Sequence, residues 1–322
     1  MSAGRRGYLV KYFKKAFKNE GLVVAVDTSR YSPALYDADK AVLIPEFFDE
    51  KSYLKQLVMI CEEYKINGLI SLNDKELEIL AREASNLQRH GVKVVVSNIK
   101  AIDICFDKYK TYQFLVKHKL SAIPTYVDLN IVEDDLKNKK IGFPLIVKPR
   151  KGSASVGMSM INSIESLRLT VGGRNDLVIQ PFVKGDEYGV DLFTNEKSET
   201  LVAVAKKKLA MRSGETDKAI TVKSKILLAD VKKIASNLGL VGPIDMDFLR
   251  YEKQFFLIDI NPRFGGGYPT TQAVGGNFPG LILDLIRGVR LKPTTFRYKS
   301  GVVMMKQYEI VIKQKSMLCQ NA

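Results

Sequence analysis

Asp245 and Asp247 in the run Gly242 to Phe248, with Asp259, Asn261 and Arg263 in the run Phe255 to Gly267, are the residues of this chain best suited to chemistry. Both runs alternate apolar and polar residues, the period of half-buried strands, and a hairpin would lay them side by side. Asp245 and Asp247 then share one face of the first strand, and Asp259 and Asn261 one face of the second. Asp247 and Asp259 come opposite each other when the connection holds an odd number of residues, and the three residues Glu252-Lys253-Gln254 are the expectation. Three carboxylates and an amide oxygen on one face repel one another, and Asp is a poor strand former. A hard cation removes the conflict. Mg²⁺ takes one or two carboxylates and completes its shell with water and phosphate oxygens, so the face reads as a Mg-nucleotide site. The alternative, a solvated hairpin face, is disfavoured by Arg263 and the glycines Gly265 to Gly267 that follow at once.

Lys148 lies inside the apolar run Pro144 to Pro149, where an ammonium is costly unless it meets an anion. The Gly/Ser-rich segment Arg150 to Gly157 follows, with small side chains and many backbone N–H groups that let phosphates approach. Gln180 to Tyr188 reads as a hinge between two units, with backbone groups free for an adenine edge and a carboxylate for ribose hydroxyls.

The elements that must position these residues fall into three units. Over residues 1–98, short apolar runs at Leu22 to Val26, Ala41 to Ile44, Gly68 to Leu72 and Lys93 to Val96 alternate with helical patterns at Ser52 to Tyr64 and Asp74 to His90. That is the rhythm of a parallel βαβ sheet. The helix Tyr8 to Asn19 has no strand ahead of it, so the sheet is expected to lack its first strand through a shortened start, which a mass measurement on the native protein would test. A single helix is expected over Ile99 to Lys119, opening a second unit (99–182) with strands at Pro144 to Pro149, Gly157 to Ile161 and Leu177 to Phe182. The third unit (183–322) holds the strands from Tyr188 and Thr200, a helix over Ile226 to Leu238, the acidic hairpin, and a helix near Gly280 to Ile286.

Composition narrows the function. The 322 residues are 46% hydrophobic, ordinary for a folded chain, and no apolar run approaches the roughly 18 residues that span a bilayer. Cys61, Cys105 and Cys319 have no metal or disulfide spacing, and His90 and His118 sit in charged helical contexts as surface residues. A net charge of +15 suits an anionic substrate or nucleotide; its scatter, with no nucleic-acid motif, argues against a nucleic-acid partner.

In this order, Asp107-Lys108, Pro144 to Pro149, Gln180 to Asp191 and above all Asp259-Ile260-Asn261-Pro262-Arg263-Phe264-Gly265-Gly266-Gly267 resemble the ATP-grasp superfamily, in the branch similar to the carbamoyl-phosphate synthase large subunit. The last segment is close to that family's E-x-N-P-R, and the spacing of 12 between Asp247 and Asp259 also fits. The resemblance covers nearly the whole chain and implies an α/β protein with an ATP-grasp fold, two α+β subdomains clasping ATP, preceded by a Rossmann-like pre-ATP-grasp domain. It implies that Lys108 and Lys148 contact ATP phosphates, that the loop with Lys151, Gly152, Ser153, Ser155 and Gly157 closes over them, that Gln180, Phe182 and Val183 meet adenine, and that Glu187 holds the ribose. Asp247, Asp259 and Asn261 would coordinate Mg²⁺, as about two ions, with Mn²⁺ able to substitute. Arg263 and Lys148 would face the transferred phosphoryl group. Arg212, with Lys206 to Lys208, falls where relatives place residues facing phosphate and the acceptor carboxylate; the other reading of that stretch is a charged loop. Two departures stand out: Gln180 replaces a frequent Glu, and Asp259 is one methylene shorter than the commoner Glu.

The implied function is an ATP- and Mg²⁺-dependent carboxylate-amine ligase, giving an amide, ADP and phosphate through an acyl phosphate. Small-molecule carboxylate and amine substrates, a cytoplasmic location and no membrane partner are expected, and a homodimer is compatible. The rivals are a subunit of carbamoyl-phosphate-synthase type that phosphorylates bicarbonate or carbamate, and a silent nucleotide-binding regulatory protein.

Overall fold

The apolar runs of the N-terminal third fold into two separate parallel strand pairs, β1 (Val24–Asp27) with β2 (Lys40–Leu43) and β3 (Gly68–Leu69) with β4 (Lys93–Val94). The structure is a computed structural model that describes residues 4–18, 20–152, 157–307 and 309–319. α1 (Gly7–Phe17), α2 (Glu50–Glu63) and α3 (Asp74–Arg89) connect the strands, and Leu57, Ile60, Leu80 and Leu87 pack over Val26, Val42 and Leu69. Among the described residues no strand precedes α1. The expected single sheet is therefore divided among the described residues, where no strand joins β1 to β3.

Ile99 to Lys119 forms two helices rather than the expected one, α4 (Ile99–Phe106) and α5 (Lys108–Lys117). Asp107 makes the break: its backbone is extended, at φ −108° and ψ 107°, and its carboxylate accepts from the Tyr109 and Lys110 N–H groups. Such capping makes ending one helix and starting another cheaper than continuing. Then come α6 (Leu129–Lys137), β5 (Leu145–Pro149), β6 (Ser159–Ile161), α7 (Ile164–Val171) and β7 (Leu177–Pro181). The strands make an antiparallel sheet in the order β6-β5-β7, with Val132 and Leu167 of the helices packed on Leu145, Val147 and Ile179.

The remaining residues build a six-stranded antiparallel sheet in the order β12-β11-β8-β9-β10-β13, from β8 (Asp186–Thr194), β9 (Thr200–Arg212), β10 (Glu215–Thr221), β11 (Gly242–Tyr251), β12 (Gln254–Asn261) and β13 (Val303–Met305). α8 (Lys225–Leu238) lies on one face, where Leu227, Val231 and Ile234 meet Val190, Leu192, Ile244, Met246 and Phe248. Strand alternation sends Gly189, Asp191, Asp245 and Asp247 to the other face. α9 (Tyr268–Ala273) and α10 (Phe278–Ile286) follow the hairpin. The charged stretch from Lys206 is the β9–β10 hairpin, not a loop.

Candidate active site

Asp247 and Asp259 do face each other across the β11–β12 hairpin, as Asp245 faces Asn261, but the device differs from the three-residue connection expected. The connection is Glu252-Lys253 alone, with Tyr251 opposite Gln254, and that register would pair Asp247 with Ile258. A bulge supplies the odd residue: Phe248 pairs with Leu257 and Asp247 with Asp259, leaving Ile258 extra. Its consequence is chemical. Without it Asp259 and Asn261 would share the face of Phe255 and Leu257 and enter the core; with it they turn to the face of Asp245 and Asp247.

On that face the carboxylates are close-set and poorly solvated. Burial raises the Asp247 carboxyl to about 7, reinforced by Asp245 and opposed by Lys208. Burial also raises Asp259, against the pull of Lys108, Lys148 and Arg263. Lys208 Nζ lies 2.7 Å from Asp247 Oδ1 and 3.7 Å from Glu187 Oε2. Asp247 Oδ1 is buried, with the Lys208 ammonium as its ionic partner. Gly189 makes room for this: a Cβ there would sit 3.2 Å from Lys206 Cε, 3.5 Å from Lys208 Cε and 3.5 Å from Asp247 Oδ1.

The opposite lip comes from the smaller sheet. Asp107 receives the Arg150 Nε at 2.8 Å on both oxygens, Lys108 N donates to Arg150 O at 3.1 Å, and Lys108 Nζ donates to Gly152 O at 2.6 Å. Lys108, Lys151 and Gly152 are thereby held together at the mouth of the loop, with Gly157 exposed on its far side; Ser153 and Ser155 lie outside the described residues. Lys148 projects from β5, and burial and the neighbouring Lys108 hold its ammonium down at about 8, while Asp259 supports the charge. An anion arriving there restores the proton. Nucleotide affinity is therefore expected to fall by up to about tenfold per pH unit above 8, with proton uptake on binding. Calorimetric titration of ADP at pH 8.5 in buffers of different ionisation enthalpy checks this. By the same sign, the unfolded chain holds the extra proton, so Lys148 alone makes the free protein more stable as pH rises from 8.

Arg263 is fixed from the N-terminal domain. Its Nε and Nη2 donate to Asp74 at 2.6 and 3.2 Å, Nη2 also reaches Asn261 Oδ1 at 3.1 Å, and Nη1 reaches Phe264 O at 3.0 Å. Arg6 donates to Phe264 O at 2.9 Å and to Glu215 Oε1 at 3.1 Å, and Lys306 binds Glu215 Oε2 at 3.0 Å. Burial would raise Glu215, but Arg6 and Lys306 hold it down at about 2. The triple glycine is a matter of space: a Cβ on Gly265 would lie 2.3 Å from Asp245 Cγ, and one on Gly267 2.6 Å from Lys206 Cε. A cavity of about 250 Å³ joins these groups, lined by Arg6, Lys208, Glu215, Asp247, Asp259 and Arg263 among others.

Arg212 lies beside the cavity rather than among its lining residues. Met211 and Ser213 line that cavity, whereas Arg212 is exposed and lies 3.7 Å from Asp217. The β9–β10 pairing slips at Leu209, which interrupts the alternation that put Lys206 and Lys208 on the cleft face. Asp74 is the group that sequence reasoning missed, and no local pattern marks it; Arg6 belongs to the Ser2 to Arg6 loop, which the resemblance places near the substrate side, though it is not named as a site residue. At the hinge, Gln180 donates to Thr125 Oγ1 at 2.7 Å, Phe182 N to Pro144 O at 3.0 Å, Val183 is half-buried, and Glu187 is exposed beside Lys208.

The donor set suits a hard cation: the Asp247 carboxylate beside Lys208 and the Asp259 carboxylate opposite it are both oxygen ligands withdrawn from water and raised by burial. Among the described residues no group of three His, Cys, Asp or Glu side chains converges tightly enough to hold an ion unaided. Mg²⁺ is ordinarily bound with phosphate and water oxygens completing its shell.

The comparisons agree with this geometry. Residues 105–267 match the family described as ATP-grasp domain, and residues 1–95 the PylC-like, N-terminal domain. The carbamoyl phosphate synthase large chain of Clostridium botulinum (strain Loch Maree / Type A3) is 24% identical over 306 residues, which are 89% of this chain and 28% of that one. The carbamoyl-phosphate synthase of Methanobrevibacter smithii is 21% identical over 78% of this chain and 70% of its own. The chain thus spans under a third of the length of the clostridial relative. Among solved structures, the biotin carboxylase domain of Hydrogenobacter thermophilus 2-oxoglutarate carboxylase, crystallised with MgADP and bicarbonate, aligns with a TM-score of 0.73 at 17% identity, covering 91% of this chain and 70% of that one. The L-amino acid ligase of Bacillus licheniformis aligns with a TM-score of 0.69 at 19% identity over 88% and 73%. No described helix is long and apolar enough to cross a membrane. The match of residues 105–267, half the chain, to the ATP-grasp domain, on a fold with two antiparallel sheets and a paired-Asp hairpin, makes this chain a member of the ATP-grasp family.

Proposed function

We propose that this chain is an ATP- and Mg²⁺-dependent ligase that phosphorylates a small carboxylate and passes the acyl group to an amine. The observation that carries the reading is the cavity in which Asp247, Asp259 and Arg263 meet Arg6, Lys208 and Glu215, so that phosphoryl-handling groups and charged substrate-binding groups share one space. Phosphoryl transfer needs positioning and charge neutralisation rather than a protein nucleophile, and this site offers the former only.

Asp247, Asp259 and Asn261 would hold Mg²⁺, which when bound neutralises charge on the phosphates. Lys108 and Lys148 would grip the phosphates from the other lip, under the loop through Lys151, Gly152 and Gly157. Gln180, Phe182, Val183 and Glu187 would seat the nucleoside. A carboxylate oxygen attacks the γ-phosphorus as the bond to the ADP oxygen breaks; the amine nitrogen then attacks the acyl carbon, phosphate leaves, and the nitrogen gives up a proton. Arg263, pinned by Asp74, would face the charge that develops on the transferring group. Arg6 takes the role expected of Arg212: a guanidinium fits a carboxylate in bidentate fashion. Arg6→Ala is expected to raise the KM for the carboxylate by on the order of 10–100-fold while leaving ADP affinity unchanged, because the lost pair is charge-assisted and lies outside the nucleotide lips. Steady-state kinetics at fixed MgATP checks it.

An ADP-release screen of carboxylates and amines with MgATP tests the function, with bicarbonate as one carboxylate because curated relatives are carbamoyl phosphate synthases. Release stimulated by one carboxylate with one amine supports the ligase. Release stimulated by bicarbonate alone favours the rival enzyme, and tight ADP binding without stimulated release favours the regulatory protein.

A further inference from the structure

Lys108 and Lys148 reach the nucleotide lip from different elements, the first residue of α5 and the strand β5. Their ammonium groups are close enough to repel, since burial and then Lys108 hold the Lys148 ammonium down. Like charges gathered with no anion between them push the two elements apart. A charged tie between α5 and the end of β5 resists that push, and it is made by Asp107 and Arg150.

Asp107 precedes Lys108, and its side chain is 2% exposed. One carboxylate oxygen accepts from the Tyr109 and Lys110 N–H groups at 3.0 and 3.1 Å, which caps α5. Both oxygens accept from Arg150 Nε at 2.8 Å. Burial opposes the charge, yet Arg150 and the capping N–H groups hold the carboxyl below the usual carboxylate range. An Asn would cap the helix about as well as an Asp, so the charge itself serves the contact with Arg150.

Arg150 stands two residues beyond Lys148 and is held by backbone and side chain alike. Its N–H donates to Asp176 O at 2.7 Å, and its carbonyl accepts from Lys108 N at 3.1 Å. The guanidinium carbon lies 5.5 Å from the centre of the Tyr109 ring, so the side chain meets α5 a second time. Lys108 Nζ meanwhile rests on Gly152 O at 2.6 Å, a bond that must be given up before the ammonium can meet a phosphate.

We propose that Asp107 and Arg150 are positioning residues for nucleotide binding: their ion pair clips the start of α5 to the end of β5 and so sets the spacing of Lys108 and Lys148. The inference rests on the phosphate-gripping role proposed for those two lysines. Neither Asp107 nor Arg150 touches the nucleotide. When phosphate arrives, Lys108 exchanges the Gly152 carbonyl for a phosphate oxygen, and the clip keeps α5 in place through the exchange.

Calorimetric titration of MgADP and of adenosine into the wild-type chain, Asp107→Asn, Arg150→Gln and the double variant tests this. Asp107→Asn keeps the cap and loses the charge, so its thermal midpoint is expected to fall by no more than about 4 °C. Each single variant is expected to weaken MgADP by on the order of 10-fold and to leave adenosine affinity within about twofold, because only the phosphates reach the lysines. The double variant is expected to bind MgADP no more weakly than either single one, since both substitutions remove the same pair. Equal loss of MgADP and adenosine affinity would overturn the proposal in favour of a merely structural cap, and unchanged MgADP affinity would overturn it outright. A further loss when Arg150→Gln is added to Asp107→Asn would overturn it by making Arg150 a direct phosphate contact. A wild-type chain that binds no MgADP would overturn the roles of Lys108 and Lys148 together with the clip.

Discussion

Asp259→Asn is expected to lower MgATP-dependent ADP release by on the order of 10³-fold, the loss typical of removing a group that neutralises transition-state charge. The same substitution is expected to stabilise the nucleotide-free protein. Burial raises the Asp259 carboxyl, so the folded chain binds a proton there more tightly than the unfolded chain, and stability falls as pH climbs above the ordinary carboxylate range. The neutral amide removes that penalty. The gain in thermal midpoint is thus larger at neutral pH than at an acid pH in the ordinary carboxylate range, where it fades. Loss of turnover with gain of stability separates a metal-holding carboxylate from a structural one, which would lose both. Melting curves at the two pH values, read beside ADP release, decide it.

Lys206→Met is expected to be the most destabilising single change around the site. Lys206 and Asp191 form an ion pair whose side chains are each 1% exposed, and Thr271 Oγ1 also donates to Asp191. Asp191 Oδ1 already lacks a partner, so removal of the ammonium leaves a buried carboxylate uncompensated, at a cost of about 3–5 kcal/mol. A drop in thermal midpoint on the order of 10 °C follows. Burial raises the Asp191 carboxyl, so the deficit shrinks as pH falls and the acid is protonated. The double variant Lys206→Met, Asp191→Leu is expected to recover most of the loss, because the pair is costly to break and cheap to replace as a whole. Denaturant titration of the three proteins measures the cycle.

How much of this was legible depended on range along the chain. The acidic hairpin, the strand around Lys148 and the parallel rhythm of the first unit are written in residues two to four apart, and alternation and capping report on that range directly. Two features broke the local pattern. Ile258 is an extra residue that no alternation rule marks, and it alone turns Asp259 outward; Leu209 does the converse to Arg212. Asp107 is read in sequence as part of a helix because its neighbours are helical, yet its short acceptor side chain suits a cap better. The contacts of Arg6 and Asp74 were illegible for another reason. Arg6 meets Glu215 across 209 residues and Asp74 meets Arg263 across 189, and such contacts exist only once the N-terminal domain packs against the unit with the six-stranded sheet.

The central claim is that a carboxylate oxygen attacks phosphorus at this site. The most direct measurement uses the carboxylate found by the ADP-release screen, enriched with ¹⁸O, together with its amine and MgATP, and reads the phosphate by mass spectrometry. The account predicts one ¹⁸O from each carboxylate transferred to each phosphate released; phosphate free of the label, alongside ADP release at the same rate, would contradict it.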